Sequence, residues 1–242
     1  MKSSFFAYYL FFLILIPRCL NAQNSKTAIY LIPGQGADAR QFQRLTFPEQ
    51  YEIRNIEYFT PEKSWDLRDF AIALAQQIDT TEKFLILGVS LGGMLASEMG
   101  YFLHPEKIIV ISSAKCRDEL PGRYKFQKTI PLNMLIPGGV AKWGAKFLQP
   151  IVEPDSRHER QFFKDMLNNK DPAFLRRTIN MIIRWELEEC SSDIAHIHGD
   201  RDHTIPAKNV SIDYLVPGGS HMMVYTRANE INKILNNLLS DK

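Results

Sequence analysis

The sequence predicts a doubly wound α/β fold, a mostly parallel sheet with helices on both faces. Two observations predict it. Short, near-continuous apolar runs bounded by turn residues recur along the chain, the pattern of strands buried on both faces. Segments with apolar residues at three- and four-residue spacing fall between them, the alternation that winds a parallel sheet. A chain of 242 residues, 45% hydrophobic and 23% charged, is long enough for one such domain with a substantial core and needs no second.

Residues 1–22 stand apart from that core. Lys2, the apolar run from Phe5 to Pro17 and the small residue Ala22 match a signal peptide's charged start, apolar centre and cleavage point. The run is shorter than the roughly 20 residues a spanning helix needs. Cleavage near Ala22 is therefore expected, leaving residues 23–242 exported, periplasmic or secreted, with no stable membrane span; a retained anchor is the alternative. Removing this segment takes Lys2 and Arg18 and no acid from 29 basic and 27 acidic residues, so the mature chain is formally neutral. It carries no basic patch for nucleic acid, no internal repeat and no low-complexity linker.

The expected strands are TAIYLI (Thr27–Ile32), YEIRNIEYF (Tyr51–Phe59), FLILGV (Phe84–Val89), KIIVIS (Lys107–Ser112) and DIAHIH (Asp193–His198). Between the second and third, Asp66–Ile78 sets Leu67, Phe70, Ala71, Leu74 and Ile78 on one helical face. After the third, Leu91, Leu95, Met99 and Phe102 recur at helical spacing, and a last helix buries Ile231, Ile234, Leu235 and Leu238. The stretch from about 117 to 189 breaks this rhythm with a Pro- and Gly-rich segment and two helical segments, the second opened by Asp171 as N-cap and Pro172 in the first turn. A helical insertion between strands commonly caps the C-terminal sheet edge, where open α/β sheets bind ligands. Phe126, Leu132, Met134, Leu135, Trp143, Phe147 and Trp185 are its candidate pocket or packing residues.

Chemistry enters at Gly88-Val89-Ser90-Leu91-Gly92, a G-x-S-x-G pattern. A tight strand-to-helix turn needs glycine on both sides so that backbones approach closely while the serine hydroxyl stands over the sheet edge. The pattern alone is weak, but here an apolar strand enters it and a helix leaves it. A serine nucleophile needs a base oriented by an acid. On such a sheet the partners follow in the order Ser, Asp or Glu, His. His221, in VPGGSHMMVY, is the last histidine and follows a short apolar run and a Gly-Gly turn.

With IYLIPGQGAD, LGVSLGGMLA, HPEKI, HGDRDHTIP and GGSHMMV, the sequence resembles the α/β-hydrolase fold family over nearly all of its mature length. The resemblance implies an acid at the second aspartate of a G-x-x-D segment followed by proline, which Gly199, Asp202 and Pro206 match. Asp200, on the same loop, is the alternative. It also implies an oxyanion hole from the backbone N–H groups of Gln35 and Leu91. The family's oxyanion loop often reads His-Gly, and Pro33-Gly34 stands there instead; the Gln35 side chain is within conceivable reach of substrate.

The implied activity is that of a serine hydrolase cleaving a carboxylic ester, thioester or related acyl bond of a small, partly apolar substrate, with no cofactor. An acyltransferase or carbon–carbon hydrolase with the same triad, and a non-catalytic ligand-binding or receptor protein on this fold, stay open. A zinc reading competes for HIHGDRDH, where His196, His198 and Asp200 partly match H-x-H-x-D-H. Arg201 occupies the next ligand position, and a guanidinium cannot lose a proton to bind metal. No metal is therefore expected, and His196 and His198 are read as satisfying buried hydrogen bonds. After cleavage Cys116 and Cys190 remain. One follows a strand and the other precedes the next, and a strand spans about 17–20 Å, beyond disulfide reach. Two free thiols are expected.

Overall fold

The computed structural model describes residues 26–124 and 159–240. Within them the chain runs β1 (Thr27–Ile32), β2 (Tyr51–Asn55), α1 (Leu67–Ala75), β3 (Phe84–Val89), α2 (Leu91–Met99), β4 (Lys107–Ile111), α3 (Arg160–Asn168), α4 (Pro172–Ile183), β5 (Ile194–Gly199), β6 (Tyr214–Val216), α5 (Met223–Thr226) and α6 (Ala228–Ser240). The strands form one six-stranded sheet in the order β2-β1-β3-β4-β5-β6, and every pairing is parallel. The chain winds outward from β1 to β2, then starts again on the other side at β3. The crevice between the C-terminal ends of β1 and β3 is thus a switch point, where loops diverge and leave room for a ligand.

Alternation along each strand divides the core in two. Ala28, Tyr30, Ile32, Phe84, Ile86, Ile108 and Val110 face α1, α2 and α4, while Ile29, Leu31, Leu85, Leu87, Val89, Ile109 and Ile111 face the side of α3, α5 and α6. Helix α1 begins at Asp66 with a capping box shared with Asp69, and Leu67, Phe70, Ala71 and Leu74 are its buried stripe. Helix α6 buries Ile231, Leu235 and Leu239 at four-residue spacing, with Ile234 and Leu238 on the flank of that stripe. Helix α2 differs from the amphipathic expectation: all its residues are buried. Its polar Glu98 accepts from Trp185 Nε1 at 2.7 Å and faces Arg68 at 3.6 Å. Trp185 is therefore a packing residue.

Helix α4 opens as the sequence indicates, with Asp171 accepting the Ala173 N–H at 2.8 Å and Pro172 in the first turn. The three-residue strand β6, by contrast, is absent from the expected strands. The segment 1–22 and the candidates Phe126, Leu132, Met134, Leu135, Trp143 and Phe147 lie outside the described residues. No helix among the described residues is long and apolar enough to cross a membrane.

The cysteine expectation is overturned. Cys116 and Cys190 form a disulfide, with Cα atoms 4.9 Å apart. The strand-length reasoning placed each cysteine at the sheet edge where its strand ends or begins. The chain beyond Ile111 instead doubles back: Ser113 Oγ donates to the Ser90 carbonyl at 2.7 Å, and the Arg117 N–H donates to Leu187 O at 2.7 Å. At about 3.3 Å per extended residue, the stretches Ile111–Cys116 and Cys190–Ile194 are each long enough to offset most of a strand's length.

Candidate active site

Ser90 sits at the end of β3 with φ 53° and ψ −118°, a left-handed conformation that costs a non-glycine residue about 1–3 kcal/mol. The surroundings hold it there. Its N–H donates to Ile111 O at 3.0 Å, and its carbonyl accepts from Gly93 and Met94 N–H at 2.9 and 3.1 Å. The two motif glycines are required by contact: a Cβ on Gly88 would run into the Gly92 carbonyl, and one on Gly92 into the Ile32 carbonyl at the end of β1. Gly92 thus lets α2 start directly against the first strand. A Cβ on Gly93 would likewise strike the Ser113 side chain.

The loop after β5 is built the same way. A Cβ on Gly199 would meet the Gly219 carbonyl, so the end of β5 touches the turn that precedes His221. Arg201 N–H donates to Gly219 O at 3.0 Å, and Asp200 Oδ1 accepts the Gly218 N–H at 2.6 Å, where Gly218 has φ +74°. Asp200 therefore braces the histidine loop, and Asp202 meets the histidine. Asp202 Oδ1 accepts from Thr204 and Ile205 N–H at 2.8 and 2.7 Å, leaving Oδ2 for His221 Nδ1 at 2.8 Å. The other imidazole nitrogen, His221 Nε2, lies 2.9 Å from Ser90 Oγ. Burial disfavours a charge on Asp202, but His221, His198 and the Ile205 N–H outweigh it and hold the carboxyl below its ordinary range.

The third component is the turn after β1. A Cβ built on Gly34 would lie 3.4 Å from Ser90 Cβ, so Gln35 follows directly beside the serine. The turn is held by Gln41, whose Oε1 accepts the Gly34 N–H at 2.9 Å, and by Tyr58, whose hydroxyl donates to Pro33 O at 2.6 Å. The Gln35 N–H and the Leu91 N–H donate to no group among the described residues, as expected for a turn corner and a first helical residue. The Gln35 side chain departs from expectation. Its Nε2 donates to Thr178 Oγ1 at 2.7 Å and Leu175 O at 3.0 Å, so it ties the turn to α4.

His196 and His198 are fully buried on one face of β5, hydrogen-bonded to each other at 3.0 Å and to the Ser211 and Ile205 carbonyls at 2.9 Å each. Burial works against a charge on both rings: it pushes His196 down to about 3, and it holds His198 below its ordinary value against the opposing pull of the Asp202 carboxylate and the Ile205 carbonyl. His203 is exposed. Among the described residues no group of three or more His, Cys, Asp or Glu is arranged to hold a metal ion. Gln41, Tyr58, Ser113 and Thr178 were not singled out in the sequence. Tyr58, Ser113 and Thr178 act through partners 25, 23 and 143 residues away and Gln41 through Gly34, seven residues back, and no sequence pattern marks them.

The parallel sheet with its switch point, the strained serine after β3 and the acid and histidine loops after β5 and β6 together define the architecture. The chain has the α/β-hydrolase fold. Solved structures with this α/β-hydrolase fold include a bromoperoxidase from Bacillus anthracis (TM-score 0.65, 16% identity, 89% of this chain and 92% of that one). A carboxylesterase structure from the ammonia-oxidizing thaumarchaeon Nitrososphaera gargenis is also similar (0.67, 14%, 90% and 91%), as is the enol-lactonase from Burkholderia xenovorans LB400 (0.62, 12%, 89% and 92%). No protein-family model and no curated protein matches the sequence.

Proposed function

We propose that this protein is a serine hydrolase that cleaves a carboxylic ester, thioester or related acyl bond of a small, partly apolar substrate through Ser90, His221 and Asp202. The observation that carries this reading is the unbroken chain from Asp202 Oδ2 to His221 at 2.8 Å and from His221 to Ser90 Oγ at 2.9 Å. Asp202 accepts the Nδ1 proton, which leaves the Nε2 lone pair facing the serine hydroxyl. Attack by Ser90 Oγ on the acyl carbon passes its proton to His221, and Asp202 stabilises the imidazolium. The developing oxyanion accepts from the Gln35 and Leu91 N–H groups, each such donor being worth about 3–4 kcal/mol at the transition state. His221 then returns the proton to the leaving group, and a water activated by the same imidazole releases the acid from the acyl-enzyme.

The carboxylesterase and enol-lactonase among the similar structures lend support, since both names describe cleavage of an acyl–oxygen bond. Export is part of the proposal. The signal-like residues 1–22 support it, and so does the Cys116–Cys190 disulfide, because such bonds persist chiefly in oxidising compartments. A fluorophosphonate probe tests the reading: it is expected to label the folded protein and not the Ser90→Ala variant. No labelling of folded wild-type protein overturns the assignment.

A further inference from the structure

Behind the Asp202 carboxylate lies the buried histidine pair, which acyl transfer does not use. Three contacts run through it: His196 Nδ1 to Ser211 O at 2.9 Å, His196 Nε2 to His198 Nδ1 at 3.0 Å, and His198 Nε2 to Ile205 O at 2.9 Å. Both terminal partners are carbonyl oxygens, which only accept. Each end therefore needs an N–H, and the central contact needs one more. Two neutral imidazoles carry one N–H each. A neutral pair is one proton short, and one contact would set a nitrogen lone pair against another acceptor.

The surroundings say where a third proton goes. His198 Nε2 also faces Asp202 Oδ2 at 3.4 Å, so a bare Nε2 would oppose two oxygens at once. Among the described residues no carboxylate is hydrogen-bonded to the His196 ring: Lys115, beyond β4, repels a charge there and Asp202 favours one only weakly, the Asp213 carboxylate is engaged by the His196 backbone N–H, and Glu119 binds the Ser211 and Lys115 N–H groups. On the side of the catalytic histidine, His221 faces His198 across the shared carboxylate.

We propose that, against the cost of burying a charge, the three contacts make the pair hold three protons, with His196 neutral and His198 an imidazolium countered by Asp202, and that His198 is a positioning residue that sets the basicity of His221. The inference rests on the triad reading for its catalytic consequence only. With two rings sharing one carboxylate oxygen, His221 binds a proton less tightly and stays a free base to lower pH. The His198 and His221 nitrogens lie 3.4 and 2.8 Å from the same Asp202 oxygen, and removing a unit charge about 6 Å away moves the titration of His221 upward by roughly two pH units at an effective dielectric of ~20.

NMR of the wild-type protein carrying nitrogen-labelled histidine, between about pH 5 and 8, reads the proton count without catalysis. The expected result is two protonated ring nitrogens on His198 and one on His196; a bare ring nitrogen on His198 overturns the proposal. For the consequence, His198→Gln is expected to move the acid limb of the kcat/KM profile up by about one pH unit or more. A lower kcat with an unshifted limb indicates a merely structural residue and overturns the positioning role. If that variant does not fold, the wild-type spectrum decides alone. Failure of the triad reading shows separately, as absence of probe labelling at Ser90.

Discussion

Removing the disulfide by the paired substitution Cys116→Ala and Cys190→Ala should lower stability by an amount set mainly by the loop it closes. The cysteines are 74 residues apart in sequence. On the chain-entropy account, cross-linking a loop of that length restricts the unfolded chain by about 4.5 kcal/mol. Alanine at both positions avoids a buried unpartnered hydroxyl at Cys116, which is fully buried. For a domain of this size each kcal/mol moves the Tm by about 2–4 °C, so calorimetry should show a fall of roughly 10 °C or more. The bond also ties the chain just after β4 to the chain just before β5. Equal melting temperatures for the two proteins would refute the reasoning. So would two thiol equivalents on titrating the denatured, unreduced wild type.

Exchanging the two loop aspartates separates their roles. Asp202→Asn should lower kcat by about 10⁴-fold, whereas Asp200→Ala loses only the Gly218 brace and should cost about 1 kcal/mol of stability with most activity kept; the reverse order of kcat values would exchange the assignments. Because the folded Asp202 carboxyl sits below its ordinary range, its stabilising contribution is present above the unfolded value of about 3.9 and is lost as pH falls through the folded value. Thermal melts should accordingly show the wild type's margin over Asp202→Asn shrinking below about pH 4. Thr178→Val removes one of the two acceptors of the Gln35 side chain and leaves Leu175 O. Steady-state kinetics should show kcat reduced by about fivefold with KM changed less, from the loss of about 1 kcal/mol of positioning; an unchanged kcat would show that α4 does not act through the turn after β1.

The frame of this molecule was legible because it depends on local order. Strands β1 and β3 coincide with the apolar runs that announce them, and α1 and α4 start at the caps that their first residues supply. Strand β6 escaped the reading because three residues with one face exposed carry no period. What could not be read were pairings between distant side chains. Gln35 meets Thr178 and Leu175 only once α4 folds back over the first turn, and Cys116 meets Cys190 only because the chain after β4 reverses. Reasoning from strand length alone had no access to that reversal.

The crowded segment HIHGDRDHTIP shows which kind of spacing does transfer. Its histidines suggested a shared ligand, yet His196 and His198 are on one face of β5 because a strand repeats every two residues, and they turn toward each other and two carbonyls. Glycine and aspartate carry different information. Gly199 is needed because the Gly219 carbonyl occupies the space of a side chain, and that close approach brings the loop of Asp202 and the loop of His221 together. The same holds at Gly88 and Gly92, where carbonyl groups of α2 and β1 stand where a Cβ would be. A motif set by backbone contact survives in the sequence as a fixed interval, because only one residue type fits. A cluster of polar side chains has no such constraint, since its partners can come from anywhere the fold delivers them. That is why the G-x-S-x-G and G-x-x-D intervals pointed to the residues that meet, while the histidine cluster, for all its likeness to a metal site, named none of the partners that His196 and His198 find in each other and in two carbonyls.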